Sequence, residues 1–140
     1  MRHMGLDVGD RRIGVAVSDP LGITAQGVDV IKYKAWEEAY ERLFEIIAAY
    51  DIGIIVVGLP KNMDGSKGKQ AEKVEFFAEL LREKCGLPIV FWDERLSTVA
   101  AEKTLVAADV SRNKRRQVID KMAAVLILQG YLNRHRTGNC

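Results

Sequence analysis

Four acidic residues stand where a carboxylate needs a reason. Asp7 sits inside the apolar run Met4-Gly5-Leu6-Asp7-Val8-Gly9. Asp93 and Glu94 directly follow the apolar segment Ile89-Val90-Phe91-Trp92. Asp120 interrupts Val118-Ile119-Asp120-Lys121-Met122-Ala123-Ala124-Val125-Leu126-Ile127-Leu128, a stretch too apolar for a surface helix. A carboxylate among apolar neighbours is costly to bury unless a cation, backbone N–H groups or a metal compensates it. Three converging carboxylates are the donor set expected for Mg²⁺ or Mn²⁺, hard cations that prefer oxygen. Two such ions about 3.5–4 Å apart can hold both the attacking water and the leaving oxygen of a phosphodiester. That chemistry needs no side-chain nucleophile, and the sequence presents none.

Asp7, Asp93 and Asp120 each also have a structural reading. Asp7 can pair with an arginine. Asp93 can replace Glu94 as the ligand, or act as a turn residue paired with Arg95, although Glu94 is favoured. Asp120 can pair on the helix surface with Arg116 at i−4.

The elements that must position these residues follow from apolar periodicity. Leu6 and Val8, then Ile13, Val15 and Val17, mark two strands joined at Gly9-Asp10, a turn-type pair. A third short strand is expected around Val28-Asp29-Val30-Ile31. Residues 35–50 read as a helix, with Ala39, Leu43, Ile46, Ile47 and Tyr50 at helical spacing. The run Ile52-Gly53-Ile54-Ile55-Val56-Val57-Gly58 has the composition of a strand buried on both faces. A loop over 59–68 leads to a helix over 70–84, and Gly86-Leu87-Pro88 separates that helix from the strand Ile89-Val90-Phe91-Trp92. Ser97 or Thr98 can cap a helix reaching about 107. Residues 111–114 open a final helix expected to end near Tyr131 or Asn133, with a frayed tail over 134–140. The order β-β-β-α-β-α-β-α-α implies an α/β fold: a mixed five-stranded sheet, antiparallel at its start and then parallel, with helices on both faces. Ligands of such sheets gather at strand carboxyl ends, where Asp93 and Glu94 stand.

At 140 residues the chain fits one domain, 1–140, with neither a repeat nor a linker. Its 48% hydrophobic and 29% charged content excludes disorder. No apolar run approaches the length of a membrane span. The first strand begins almost at once and leaves no room for a signal peptide, so a cytoplasmic location without membrane partners is expected. Cys85 and Cys140 are too far apart for a zinc or redox motif and read as free thiols. The net charge of +2 says little, but Arg112, Lys114, Arg115, Arg116 and Lys121 cluster late in the chain, as a solvated helix entry or a polyanion-binding surface.

Four motifs together resemble the YqgF/RuvX family. They are Gly5-Leu6-Asp7-Val8-Gly9 through Gly14-Val15-Ala16-Val17-Ser18-Asp19, Val57-Gly58-Leu59-Pro60 with Asp64-Gly65-Ser66, Asp93-Glu94-Arg95-Leu96-Ser97-Thr98, and Ile119-Asp120-Lys121-Met122-Ala123-Ala124 with Ile127-Leu128-Gln129. The resemblance covers essentially the whole chain. It implies an RNase H-like fold related to the RuvC Holliday-junction resolvases. It also implies a nuclease that resolves Holliday junctions or processes the 5′ end of pre-16S rRNA, with Asp7, Glu94 and Asp120 as its metal-binding catalytic triad. Precursor rRNA or branched DNA would be the partner, and the chain would act as a monomer or a homodimer.

Around these acids, Arg11, Arg12, Lys61, Arg95, Lys114, Arg115 and Arg116 are candidate phosphate contacts, and Arg95 can instead hold the carboxylates in place. The loop Lys61-Asn62-Met63-Asp64-Gly65-Ser66-Lys67-Gly68-Lys69-Gln70 lies where a phosphate-binding loop would sit. It fails the ATP-binding pattern at Met63 and Gln70. Its backbone N–H groups and lysines can still hold a nucleic-acid phosphate, or it can be a flexible solvated loop. Few aromatics are available for stacking, so backbone and shape recognition is expected over base reading. Two other classes compete with a nuclease. An actin/Hsp70-like ATPase needs two such domains and the chain supplies one. A non-catalytic nucleic-acid-binding module would have no use for three costly acids.

Overall fold

The computed structural model describes residues 1–62, 64–96 and 112–138. In chain order the elements are β1 (Arg2–Val8), β2 (Arg12–Ser18), β3 (Ala25–Lys32), α1 (Trp36–Tyr50), β4 (Ile52–Leu59), α2 (Lys69–Cys85), β5 (Ile89–Asp93), a 3-10 turn (Glu94–Leu96) and α3 (Arg112–Gly138). The strands form one sheet in the order β3-β2-β1-β4-β5. β1–β2 and β2–β3 pair antiparallel, while β4 and β5 run parallel to β1. The expected mixed sheet is therefore present, and the strand bearing Asp7 is central. The helix expected to start at Ser97 or Thr98 lies outside the described residues, as does Cys140. Among the described residues, no helix is long and apolar enough to cross a membrane.

Strand alternation sorts the side chains onto two faces. Leu6 and Val8, Ile13, Val15 and Val17, and Ile55, Val57 and Leu59 enter the larger core with α1 and α2. The alternate residues face α3. There the core is made of small residues, Ala16, Ala123 and Ala124, with Val56, Ile127, Leu128 and Trp92.

Glycines let α3 lie directly on the sheet. A Cβ at Gly27 of β3 would meet Lys121 Cγ at 2.3 Å, and one at Gly14 of β2 would meet the Asp120 carbonyl oxygen at 2.0 Å. One at Gly5 of β1 would meet Leu128 Cβ at 2.6 Å, and one at Gly58 of β4 would meet Ile127 Cδ1 at 2.4 Å. On the helix itself, Gly130 accepts the Trp92 ring of β5. Helix α3 thus crosses β3, β2, β1 and β4 at close range, which a stripe of larger residues would prevent.

Two boundaries differ from expectation. β3 begins at Ala25, before the apolar core of the strand, because Ala25, Gln26 and Gly27 continue the ladder with β2 across a bulge. α3 passes the expected end near Tyr131 or Asn133 and continues through the tail to Gly138. Tyr131 and His135, one turn apart, hold their ring centroids 4.0 Å from each other.

On the opposite face, Tyr40 of α1 stacks on Phe77 of α2 and donates its hydroxyl hydrogen to the Phe77 carbonyl at 3.0 Å. Burial pushes the Tyr40 phenol up to about 12. The folded state keeps this proton where the unfolded chain, near the ordinary 10, releases it. Stability from this group is therefore complete below pH 10 and is lost as pH rises toward 12. Urea midpoints at pH 9 and pH 11 should show that loss in the wild type and a smaller one in Tyr40→Phe.

Candidate active site

Asp7 ends the α3-facing row of β1. In the β1–β2 ladder it lies opposite Gly14, and the Asp120 backbone rests on Gly14. Asp7 and Asp120, 113 positions apart in sequence, are neighbours because β2 carries no side chain between them. On the other flank of β1, Leu6 pairs with Val57, so Asp7 and Gly58 follow as the next residues of adjacent strands. Glu94 Oε1 lies 3.1 Å from where a Cβ of Gly58 would be. Asp7, Glu94 and Asp120 are all partly buried and sit on the α3 side of the sheet.

Asp93 and Glu94 are adjacent in sequence but differently engaged. Trp92 points into the core under α3, so Asp93 turns to the other face of β5. There its carboxylate accepts hydrogen bonds from the Arg95 backbone N–H at 2.9 Å, Nε at 3.1 Å and Nη2 at 2.7 Å. Lys61 Nζ approaches it to 3.9 Å. The Arg95 hydrogen bonds hold the Asp93 carboxyl below the usual carboxylate range.

Arg12 lies beside the triad, with Nε 3.8 Å from Asp120 Oδ2. The turn that carries Arg11 and Arg12 is held by Tyr33, just after β3, and by two residues of α2. The Tyr33 hydroxyl donates to the Gly9 carbonyl, and Tyr33 N–H donates to the Arg11 carbonyl at 3.0 Å. Gln70 Nε2 donates to the Val8 carbonyl at 3.4 Å, and Lys73 Nζ to Asp10 at 2.9 Å. Sequence reasoning missed Tyr33, Gln70 and Lys73, since nothing local marks them as partners of a turn tens of residues away. It had a signal for Gly14 and Gly58, because glycine inside a strand marks close approach of another backbone.

The loop between β4 and α2 is knitted by its own polar groups. Asp64 accepts from Ser66 N–H at 2.9 Å and from Ser66 Oγ at 2.6 Å, and Asn62 N–H donates to the Ser66 carbonyl at 2.9 Å. Lys67, a candidate phosphate contact of this loop, is paired with Glu75 at 3.0 Å. Lys114, Arg115 and Arg116 fall in the first turns of α3, with side chains outside the described residues.

Among the described residues, no three His, Cys, Asp or Glu side chains are drawn close enough to form a ready-made metal cage. The donor set nevertheless fits Mg²⁺ or Mn²⁺. Mg²⁺ keeps several waters and is bound through one or two carboxylates plus substrate phosphate oxygens, not by a complete protein cage. Gly14 and Gly58 make room for α3 against the sheet, with the Asp120 backbone over Gly14 and the Glu94 carboxylate beside Gly58.

The five-stranded sheet with a helix crossing it is the fold of solved Holliday junction resolvases. The fold matches RuvC of T. thermophilus, solved with a Holliday junction substrate, with a TM-score of 0.64 and 15% identity over 99% of this chain and 97% of that one. It also matches the fowlpox virus Holliday junction resolvase, with a TM-score of 0.51 and 15% identity over 99% of each chain. Residues 1–134 match the RuvX family, described as "Holliday junction resolvase", and the chain belongs to this family. A relative from Desulforamulus reducens is 62% identical over 133 residues, 95% of this chain and 97% of its own length. Another from Listeria innocua is 55% identical over 135 residues, 95% of this chain and 98% of its own. Both carry the name "Putative pre-16S rRNA nuclease".

Proposed function

We propose that this chain is a cytoplasmic, metal-dependent endonuclease that hydrolyses phosphodiester bonds in structured nucleic acid, acting as a single RNase H-like domain over residues 1–140. The observation that carries the reading is the placement of Asp7, Glu94 and Asp120 on one sheet face around Gly14 and Gly58. With one or two Mg²⁺ or Mn²⁺ ions bound by these carboxylates, the site gains a low-pKa water and neutralisation of the charge on the leaving oxygen. Arg12, tethered beside Asp120, meets the substrate phosphate, and the braced turn fixes where it does so. Arg11, Lys61, Lys114, Arg115 and Arg116 extend the contact along the backbone of the nucleic acid.

Precursor 16S rRNA is the favoured substrate, following the names of relatives more than half identical to this chain. Four-way DNA junctions are the second reading, favoured by the family description and by the RuvC fold. Symmetric junction cutting would require a homodimer.

A cleavage assay on precursor 16S rRNA and on four-way junctions, with EDTA and with Mg²⁺ or Mn²⁺ restored, tests this function. Metal-dependent cutting of the rRNA precursor at a defined position near the mature 5′ end is expected. Absence of cleavage on both substrates, or cleavage indifferent to EDTA, would refute it. Mass in solution, measured with and without the junction, separates a monomeric rRNA nuclease from a dimeric resolvase.

A further inference from the structure

We infer that Asp93 and Arg95 form a clamp whose task is to aim Glu94, so that Arg95 is a positioning residue and not a phosphate contact. The inference rests on the nuclease reading of the Asp7, Glu94 and Asp120 site.

The clamp is built at the point where β5 ends. Asp93 accepts the Arg95 backbone N–H at 2.9 Å, a local bond that folds the chain sharply just after the strand. Its two oxygens then take the Arg95 side chain, Nε at 3.1 Å to each and Nη2 at 2.7 Å to Oδ2. Glu94 lies between the two anchors, at the start of the 3-10 turn. With Asp93 fixed on one side of the sheet, the Glu94 carboxylate is delivered to the other, beside Gly58. The guanidinium is further walled by the loop after β4: a Cβ on Gly65 would lie 3.4 Å from Arg95 Nη1. Gly65 has φ +88, a conformation that favours glycine, so this approach is part of the loop's fixed shape.

The arrangement matches what ligand carboxylates require. A donor that must meet an ion within a few tenths of an ångström is held by outer-shell hydrogen bonds, and removing such a partner typically lowers metal affinity by about 10–100-fold. A guanidinium bonded through two nitrogens to one carboxylate is poorly placed to bind a second anion. Lysine cannot reproduce the fork.

The test uses the full chain and Arg95→Ala, Arg95→Lys, Asp93→Asn and the double variant Asp93→Asn/Arg95→Ala, with circular dichroism confirming the fold. Mn²⁺ binding is followed by electron paramagnetic resonance. Binding of a nucleic-acid duplex is followed across salt concentrations, with Ca²⁺ in place of the activating metal, and kcat and KM are measured with Mg²⁺. Both Arg95 variants and Asp93→Asn should weaken Mn²⁺ binding about tenfold or more and lower kcat, with KM and the salt slope unchanged. The double variant should be little worse than either single one, because the pair acts as a unit.

Unchanged Mn²⁺ affinity, with a salt slope reduced by about one and full rescue by Arg95→Lys, would make Arg95 a phosphate contact and overturn the clamp. Complete loss of Mn²⁺ binding in Asp93→Asn beside normal binding in Arg95→Ala would make Asp93 itself a ligand, which also overturns it. A wild-type chain that neither binds Mn²⁺ nor cleaves would instead remove the nuclease site, and the clamp with it.

Discussion

Asp7→Asn is expected to lower the cleavage rate by on the order of a thousandfold, corresponding to roughly 4 kcal/mol of lost transition-state stabilisation. The substitution keeps the shape of the side chain and removes only the charge. Asp7 occupies the central strand, flanked through Gly14 by Asp120 and through Gly58 by Glu94, so its carboxylate stands between the other two. Folding should be unharmed. Three partly buried carboxylates share this face, and Asp7→Asn lowers the negative charge concentrated there. The urea midpoint of Asp7→Asn should therefore equal or exceed that of the wild type in metal-free buffer. Single-turnover cleavage and urea denaturation of the same preparation supply both numbers. Cleavage at the wild-type rate would show that the three acids do not form the reaction centre.

Gly14→Ala should be the most damaging small substitution in the sheet, with a cost on the order of 3 kcal/mol. Its added methyl would lie 2.0 Å from the Asp120 carbonyl oxygen and 2.6 Å from its carbonyl carbon. Both are helix backbone, so no rotamer change relieves the clash. Helix α3 must shift or tilt, and because it rests on Gly27, Gly5 and Gly58 as well, one displacement disturbs several contacts. Gly86→Ala provides the contrast. That glycine caps α2 with φ +71 and has open space around it, so the substitution costs about 1 kcal/mol of backbone strain alone. Urea denaturation should separate the two, with Gly14→Ala the larger loss. Gly14→Ala should also cut less well than Gly86→Ala, since it moves Asp120 away from Asp7. Equal losses of stability would show that α3 does not depend on contact with the glycine stripe.

The acids were legible because they break apolar runs. Asp7 inside a strand and Asp120 inside an apolar helix advertise a cost that some function must offset. The strands were legible because β-branched alternation is a local signal, and the change from antiparallel to parallel pairing followed from where helices interrupt them. The start of β3 was not legible, since Ala25-Gln26-Gly27 pairs only because β2 is there to receive it. The reach of α3 to Gly138 was hidden for a similar reason. Polar residues past Asn133 carry no periodic signal of their own, and they extend a helix already fixed by its contacts with the sheet.

By itself the sequence determined the kind of residues at the site, their order along the chain and the fold class that can bring them together. Those properties follow from side-chain chemistry and short-range periodicity, which the chain carries locally. Only the tertiary structure decided the pairings: Asp93 with Arg95 and Lys61, Arg12 with Asp120, Tyr33 with the Gly9 turn. It also separated Asp93 from Glu94, because adjacent residues leave the end of a strand toward opposite faces and only the packed sheet gives those faces different neighbours. Most of these contacts bridge elements far apart in sequence, and their geometry exists only once α3 has settled on the glycines of four strands.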